Sequence, residues 1–285
     1  GKRLEALKRY KTIVLAQTQG LDAQTIDALK AACEAGANVI ATNTALADDP
    51  AALSTLFGAT AVEAEHDGHG WYIGIDDRSI LKRFDAQSLL SWQYNLGLYA
   101  FDDGATTLLP ILTPGRPGPP ERIGGHEPSG YLAMGIKRHG TGAAALAPLA
   151  IGRNYFLRGY QQYKHVILDL IDHLQPDARS LLRTDAPTRV EMVLQRFTEN
   201  TPQGRRRATD DGLILHLVNI TGFSGNTYFE PLEVNRISVD LRCDFNPKAV
   251  YALNAETTLD FEYKEGRLSF SAPRLADYEG IVILK

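Results

Sequence analysis

Cys33 and Cys243 are the strongest nucleophiles in the 285-residue sequence. A catalytic thiol belongs on a sharp strand-to-helix turn, where it meets substrate and a neighbouring amide can hold the oxyanion. Cys33 instead follows Ile26 and Leu29 at helical spacing on one apolar face. Cys243 falls on the inward side of the alternating stretch NRISVDLRCDF. Both are expected in the core, and no Gly-x-Cys-x-Gly or Gly-x-Ser-x-Gly segment replaces them. His66 and His69, with Glu63, Glu65 and Asp67, gather metal-ligand types, but in a Gly-rich segment expected to be a solvated loop. His126, beside Glu127, and His139, in RHGTG, are expected as loop residues without partners, and His165 and His173 as helix-surface or packing residues. Glycoside hydrolysis would require two carboxyl groups held ~5–9 Å apart. Asp76, Asp77, Asp102, Asp103, Glu121 and Glu127 are the loose candidates, and adjacent acids more often decorate turns. Trp71, Tyr72, Trp92, Tyr94 and Tyr99 could stack on a sugar, although core packing explains them equally well. No catalytic, cofactor-binding or metal-ligating residue is assigned, and no cofactor is implied.

The elements that would position a site divide into two rhythms. In the first half, YKTIVLAQTQGLDAQTIDALKAACEAGANVIATNTA predicts strand, helix, strand. Thr12–Ala16 is continuously apolar, as for a parallel strand covered on both faces. Asp22 caps the helix, Gly36 ends it, and Val39-Ile40-Ala41 supplies the next strand. The first turn, QTQGLD, has one glycine and no Gly-x-Gly-x-x-Gly or Walker pattern, and GATAVEAEHDGHG lacks a strand-to-helix context, so neither binds a phosphate. From Leu46 to Pro128 the pattern is weak. EHDGHGWYIGIDDRS is taken as a polar loop, an apolar run spans Leu89–Ala100, and TPGRPGPPERIGGHEPSG is taken as a long surface loop. Tyr131–Ile136 and Ala143–Ala150 form a strand pair joined through KRHGTG. YQQYKHVILDLIDHL is an amphipathic helix that buries Tyr163, Val166, Ile167, Leu170, Ile171 and Leu174 and stops at Pro176.

After about Pro187 the period becomes two. Val190, Met192 and Leu194 alternate with Arg189, Glu191 and Val193. Ile237, Val239, Leu241, Cys243 and Phe245 face one way, and Leu259, Phe261 and Tyr263 pair with Leu268 and Phe270 across Glu265-Gly266. This indicates an antiparallel β-sandwich. The expected organisation is α/β plus all-β: a flavodoxin-like or class I amidotransferase-like parallel-sheet domain over 1–180 with a long central loop region, then a C-terminal β-sandwich over 188–285. The boundary lies near residues 175–188.

Composition narrows the partners. A net charge of −4 argues against nucleic acid as the main partner, and Arg205-Arg206-Arg207, beside Pro202 and Gly204, is expected as a solvated loop. No apolar run approaches the ~20 residues of a membrane span, and no secretory signal opens the chain. The first residue is Gly1 rather than Met, as for a processed, tagged or excised chain. Two cysteines without framework spacing suit a reducing, cytoplasmic setting.

RLEALKRYKTIVLAQTQGLDAQTIDALKAACEAGANVIAT resembles the start of the amidotransferase-like trimerisation domain of family 42-type β-galactosidases. YLAMGIKRHGTGAAALAPLAIGRNYFLRGYQQYKHVILDLIDHL is similar to the end of that domain. LILHLVNITGFSGNTYFEPLEVNRISVDL and FSAPRLADYEGIVIL look like C-terminal sandwich strands of bacterial glycoside hydrolases. The resemblance covers two thirds of the chain and leaves out Leu46–Pro128. It implies a non-catalytic assembly and scaffold portion of a glycoside hydrolase, working with a catalytic TIM barrel outside this chain and assembling as a homo-oligomer. No catalytic residue carries over. The alternatives are a stand-alone carbohydrate-binding or interaction module marked by Trp71, Tyr72 or Trp92, and a glycosidase whose carboxylate site is built from the loops.

Overall fold

A computed structural model describes every residue except 1, 76, 86–87, 117–118, 120, 123, 176–180, 199–201, 204–205 and 208–210. Gly204, Arg205, Asp76 and residues 176–180 of the expected domain boundary, Pro176 among them, lie outside the described residues. The chain divides into two compact units, Gly1–Asp177 and Ala178–Lys285.

The first unit begins with α1 (Lys2–Leu7), β1 (Thr12–Ala16), α2 (Ala23–Glu34), β2 (Asn38–Thr42) and α3 (Pro50–Phe57). The strands β3 (Ala59–His66), β4 (Trp71–Ile75), β5 (Ser88–Trp92), β6 (Leu96–Phe101) and β7 (Ala105–Leu112) follow. The unit closes with β8 (Pro128–His139), β9 (Gly142–Ala147), α4 (Ile151–Arg158) and α5 (Gln161–Leu174). Asp22 caps α2 as expected, its carboxylate accepting from Thr25 N at 2.8 Å.

Seven strands form one sheet in the order β1-β2-β9-β8-β7-β4-β5. Only β1-β2 and β2-β9 are parallel, and the remaining pairs are antiparallel. The sheet is therefore mixed, and the expected parallel character is confined to three strands. Two helical layers cover the parallel part. Ile26, Leu29 and Cys33 of α2 and Leu53, Leu56 and Phe57 of α3 pack with Val39, Ala41, Ala144 and Leu146. Tyr163, Val166 and Leu170 of α5 pack with Ile40, Ala143, Ala145 and Ala147 on the other side. The alanines of β9 keep both helical layers close to the sheet. At Gly142 a Cβ would collide with the carbonyl oxygens of Ala37 and Cys33, so glycine is required there.

Two expectations change in this unit. β2 is buried along its whole length, whereas β1 is an edge strand with Val14 51% exposed. An apolar run alone does not distinguish a central from an edge strand. The stretch taken as polar loop contains the end of β3 and all of β4, and the apolar run divides into β5 and β6. β3 pairs with β6 through two register shifts, at Ala61/Glu63 and Glu63/His66, which break the period-two pattern that would have marked β3.

The second unit contains β10 (Leu182–Thr184), β11 (Val190–Phe197), β12 (Pro202–Gln203), β13 (Arg206–Arg207) and β14 (Gly212–Asn219). It continues with β15 (Ile237–Arg242), β16 (Ala249–Ala252), β17 (Thr257–Thr258), β18 (Phe261–Lys264), β19 (Arg267–Ala272) and β20 (Tyr278–Leu284). A four-stranded sheet, β10-β15-β19-β18, and a five-stranded sheet, β11-β14-β20-β16-β17, are both antiparallel. Their inner faces share one core in which Ile237, Val239, Leu241, Cys243 and Phe245 meet Leu215, Leu217, Ile281 and Ile283. The alternation in the sequence identified this face correctly. Phe261 lies opposite Phe270, and the hairpin turns through Glu265 and Gly266 at φ +52° and +75°, the left-handed pair that matches strand twist.

Candidate functional site

In open sheets, ligands bind beyond the carboxyl ends of parallel strands. Here that edge consists of the three turns after β1, β2 and β9: Gln17–Asp22, Asn43–Asp49 and Pro148–Ala150. They are tied to one another. Gln17 N donates to Thr42 O at 3.2 Å, Asn43 N to Ala147 O at 3.2 Å and Leu149 O at 3.1 Å, and Leu46 N to Thr18 O at 2.9 Å. Gln19 Nε2 donates to Thr44 O at 3.2 Å, and Asp48 accepts from Gly20 N at 2.8 Å. Gln17, Asn43 and Leu46 hold left-handed φ of +54°, +57° and +58°, a costly conformation outside glycine.

The chemistry these turns offer is limited. None contains Cys, Ser or His. After β9, where a nucleophile elbow would stand, Leu149, Ala150 and Ile151 are buried apolar residues, and α4 starts without a side-chain cap. Asn154, 1% exposed, donates to Ala150 O at 3.2 Å. Gln19, Asp22, Asp48 and Asp49 all bond backbone groups of this edge or of the helices that follow it.

Both thiols lie elsewhere. Cys33 is fully buried in α2 and donates to Ala143 O at 3.7 Å, and burial pushes its pKa up to about 11. Cys243 donates to Phe245 O at 3.1 Å, and burial raises its pKa as well. Neither supplies a thiolate at neutral pH.

The histidines have partners the sequence did not reveal. His66, at the end of β3, pairs with Glu63 at 3.0 Å and packs edge-on against Trp71 with centroids 4.8 Å apart. His69 pairs with Asp67 at 2.6 Å on the exposed turn. Among the described residues no three His, Cys, Asp or Glu side chains gather to hold a metal ion. His126 and His139, expected without partners, are both held. His126 Nδ1 lies 3.1 Å from Thr113 O, and its ring packs edge-on against Tyr72. His139 ends β8, is 9% exposed and donates from Nε2 to Leu56 O at 2.6 Å. His165 packs edge-on against Phe84, and desolvation lowers the pKa of both His165 and His173.

The candidate carboxylates are scattered over three connections. Asp77 lies between β4 and β5, Asp102 and Asp103 between β6 and β7, and Glu121 and Glu127 between β7 and β8, all exposed. The Ser79 hydroxyl and N–H hold the Asp77 carboxyl below its usual range, the opposite of what a general acid requires. Of the aromatics, Trp92 and Tyr99 are core residues at 0% and 1% exposure, so Trp92 drops out of any sugar-stacking platform. Arg153 lies over the Tyr94 ring at 4.4 Å. Arg206 and Arg207 form the short strand β13.

Three buried polar residues escaped the sequence reading. Asp169, 2% exposed on the inner side of α5, binds Arg83 through both its backbone N–H and its guanidinium. Glu279, 2% exposed, accepts from Asn254 N, Ala255 N and Gly280 N. Asn219 donates to Leu232 O and Ala276 O. For Asp169 a signal existed, because it sits between Val166 and Leu170 on the apolar face.

An α/β unit on a mixed sheet followed by a β-sandwich is a combination found within glycoside hydrolases. α-L-fucosidase isoenzyme 2 from Paenibacillus thiaminolyticus superposes with TM-score 0.69 at 16% identity, over 96% of this chain and 41% of that one. The family 42 β-galactosidase Gan42B from G. stearothermophilus gives 0.58 at 14% identity, over 98% and 32%. The β-galactosidase of Bacillus circulans sp. alkalophilus gives 0.55 at 14% identity, over 97% and 33%. The chain thus spans about a third to two fifths of these proteins, and at such identity the likeness is one of fold. No family model and no curated protein matches the sequence. Among the described residues no helix is long and apolar enough to cross a membrane.

Proposed function

We propose that this chain is the non-catalytic assembly and scaffold portion of a β-galactosidase-like glycoside hydrolase. In this reading the catalytic TIM barrel lies outside these residues, and the amidotransferase-like unit and the sandwich serve homo-oligomeric assembly in the cytoplasm. The observation that carries the proposal is the pairing of two facts. Both units follow the fold of glycoside hydrolases over 96–98% of this chain. Yet the carboxyl edge of the parallel strands holds no thiol, serine or histidine. A fold retained with its reaction edge closed by backbone bonds suits a structural task.

The test is to assay the purified chain at high concentration against aryl galactosides, fucosides and related glycosides. No hydrolysis is expected, together with binding to a separately produced family 42-type barrel domain. Reproducible turnover would overturn the reading, and amide substitutions at Asp77, Asp102, Asp103, Glu121 and Glu127 would then locate the acids responsible.

A further inference from the structure

β1 ends the seven-stranded sheet, and among the described residues it pairs only with β2. The parallel register, with Asn38 N donating to Lys11 O and Gln17 N to Thr42 O, turns the backbone groups of residues 11, 13, 15 and 17 toward β2. Those of Thr12, Val14 and Ala16 point away from the sheet. Bare strand edges of this kind are normally blunted by charge, proline or a bulge. TIVLA has no charge and no proline, and its register is unbroken. The other edges of the three larger sheets differ. Arg183, the pair Glu191 and Arg196, and the pair Glu262 and Lys264 lie on β10, β11 and β18, and β17 is two residues long. On β5 the Tyr163 hydroxyl donates to the Ser91 carbonyl at 2.6 Å. The face of β1 that carries Val14 is open as well: Val14 is 51% exposed and neighbouring Tyr10 is 59% exposed.

We infer that β1 is the interface for a second copy of this chain, joined by antiparallel β1–β1 pairing about a two-fold axis through Val14. Two features favour a like copy. The first is self-complementarity. Thr12, Val14 and Ala16 offer three N–H and three C=O groups per copy, and centring on Val14 sets Thr12 opposite Ala16 of the other copy, so that three donors from each copy make six bonds. The two Val14 side chains then meet as a β-branched cross-strand pair on the open face. The second is charge. Exposed Arg9 and Lys11 precede the strand, and the Gln17–Gly20 turn with Asp48 bound at Gly20 follows it. Antiparallel pairing sets the basic end of one copy beside the Asp48 end of the other, whereas parallel pairing would set like charges abreast. The inference is argued from the strand edge, and it deepens the homo-oligomeric assembly of the proposed function by naming one interface for it.

Sedimentation of the purified chain is expected to give twice 31.3 kDa, and Val14→Lys, at an exposed position, to return it to 31.3 kDa with an unchanged circular dichroism spectrum. Hydrogen exchange should show protection that rises with concentration at the Thr12, Val14 and Ala16 amides while Ile13 and Leu15 stay protected throughout. Val14→Cys should form a symmetric disulfide on mild oxidation, because directly opposed hydrogen-bonded residues place Cα atoms about 5.5 Å apart. This variant decides the matter if Val14→Lys misfolds. A chain monomeric at all concentrations, a trimer such as the resemblance to a trimerisation domain implies, or Val14→Lys associating as strongly as the parent, would overturn the inference. A monomer that still binds a barrel domain would remove the β1 interface and the homo-oligomeric part of the proposed function while leaving its barrel-scaffold part, whereas glycoside turnover would overturn the non-catalytic reading and leave the β1 interface.

Discussion

Among the described residues each unit buries one carboxylate at 2% exposure, and the two are satisfied differently. In the α/β unit Asp169 meets a cation: the Arg83 guanidinium binds it and reaches on to Asp172 at 2.8 Å, pinning the β4–β5 connection against α5. In the sandwich Glu279 is satisfied by backbone: it accepts from Asn254 N and Ala255 N, which shape the turn after β16, and from Gly280 N in its own strand. A carboxylate in low dielectric needs its oxygens satisfied, and either charge pairing or converging amides will do this. Both acids hold a connection in place, so burial of acid in this protein marks architecture. That explains how a fold shared with hydrolases can contain buried carboxylates without their forming a reactive pair.

Removing Glu279 should have the largest effect. Glu279→Ala would leave three backbone donors without their acceptor, a loss of about 3 kcal/mol or more in the sandwich. Glu279→Gln should cost less than half of that, because Oε1 takes two of the three bonds and an amide oxygen can keep them. Denaturant unfolding monitored separately for each unit would measure both, since two units need not unfold as one. Equal losses in the two variants would show that the charge itself matters and would erase the contrast with Asp169. For Asp169→Asn the expected cost is about 2 kcal/mol, confined to the α/β unit, because an amide oxygen can keep only one of the two bonds and its NH2 would face a donor at the other.

The contrast extends to acid. Desolvation, then the charges of Arg83 and Lys164, lowers the His165 pKa. Desolvation, then Arg138 and Lys82, lowers that of His173. A histidine whose folded pKa is depressed contributes stability above its unfolded value of about 6.5 and loses it as pH falls below that value, because the unfolded chain takes up the proton first. The α/β unit should therefore melt at progressively lower temperature below about pH 6.5. His173→Gln should flatten that slope. A sandwich that lost stability in parallel, or an α/β unit with a flat profile, would contradict it.

The same two regions show what local pattern conveys. The inner face from Ile237 to Phe245 and the helix from Tyr163 to Leu174 were readable because periods of two and 3.6 are written in neighbouring residues. The span from Ala59 to Leu112 was not. Its strands are defined by distant partners, β3 with β6 and β7 with β8, and bulges break their alternation. The place of Asp169 on an apolar helix face hinted at burial, but its cation lies 86 residues away and has no local mark. The ties at the carboxyl edge use Gln, Asn, Thr and Asp, residues that in sequence look like any turn.

The smallest expected effect bears on that edge. Gln17 is exposed, has φ +54° and contributes its backbone N–H to Thr42 O. A left-handed L-residue costs about 1–2 kcal/mol, while glycine there would lose about 0.5–1 kcal/mol through unfolded-chain freedom. Gln17→Gly should therefore stabilise the α/β unit by about 0.5 kcal/mol. If the edge is purely architectural, that gain arrives with self-association and barrel binding unchanged. If the strain at Gln17 is instead kept for a task, the variant will be more stable and worse at binding its partner. In that case the turns after β1 and β2, rather than the buried acids, would be the place in this fold where function outweighs stability.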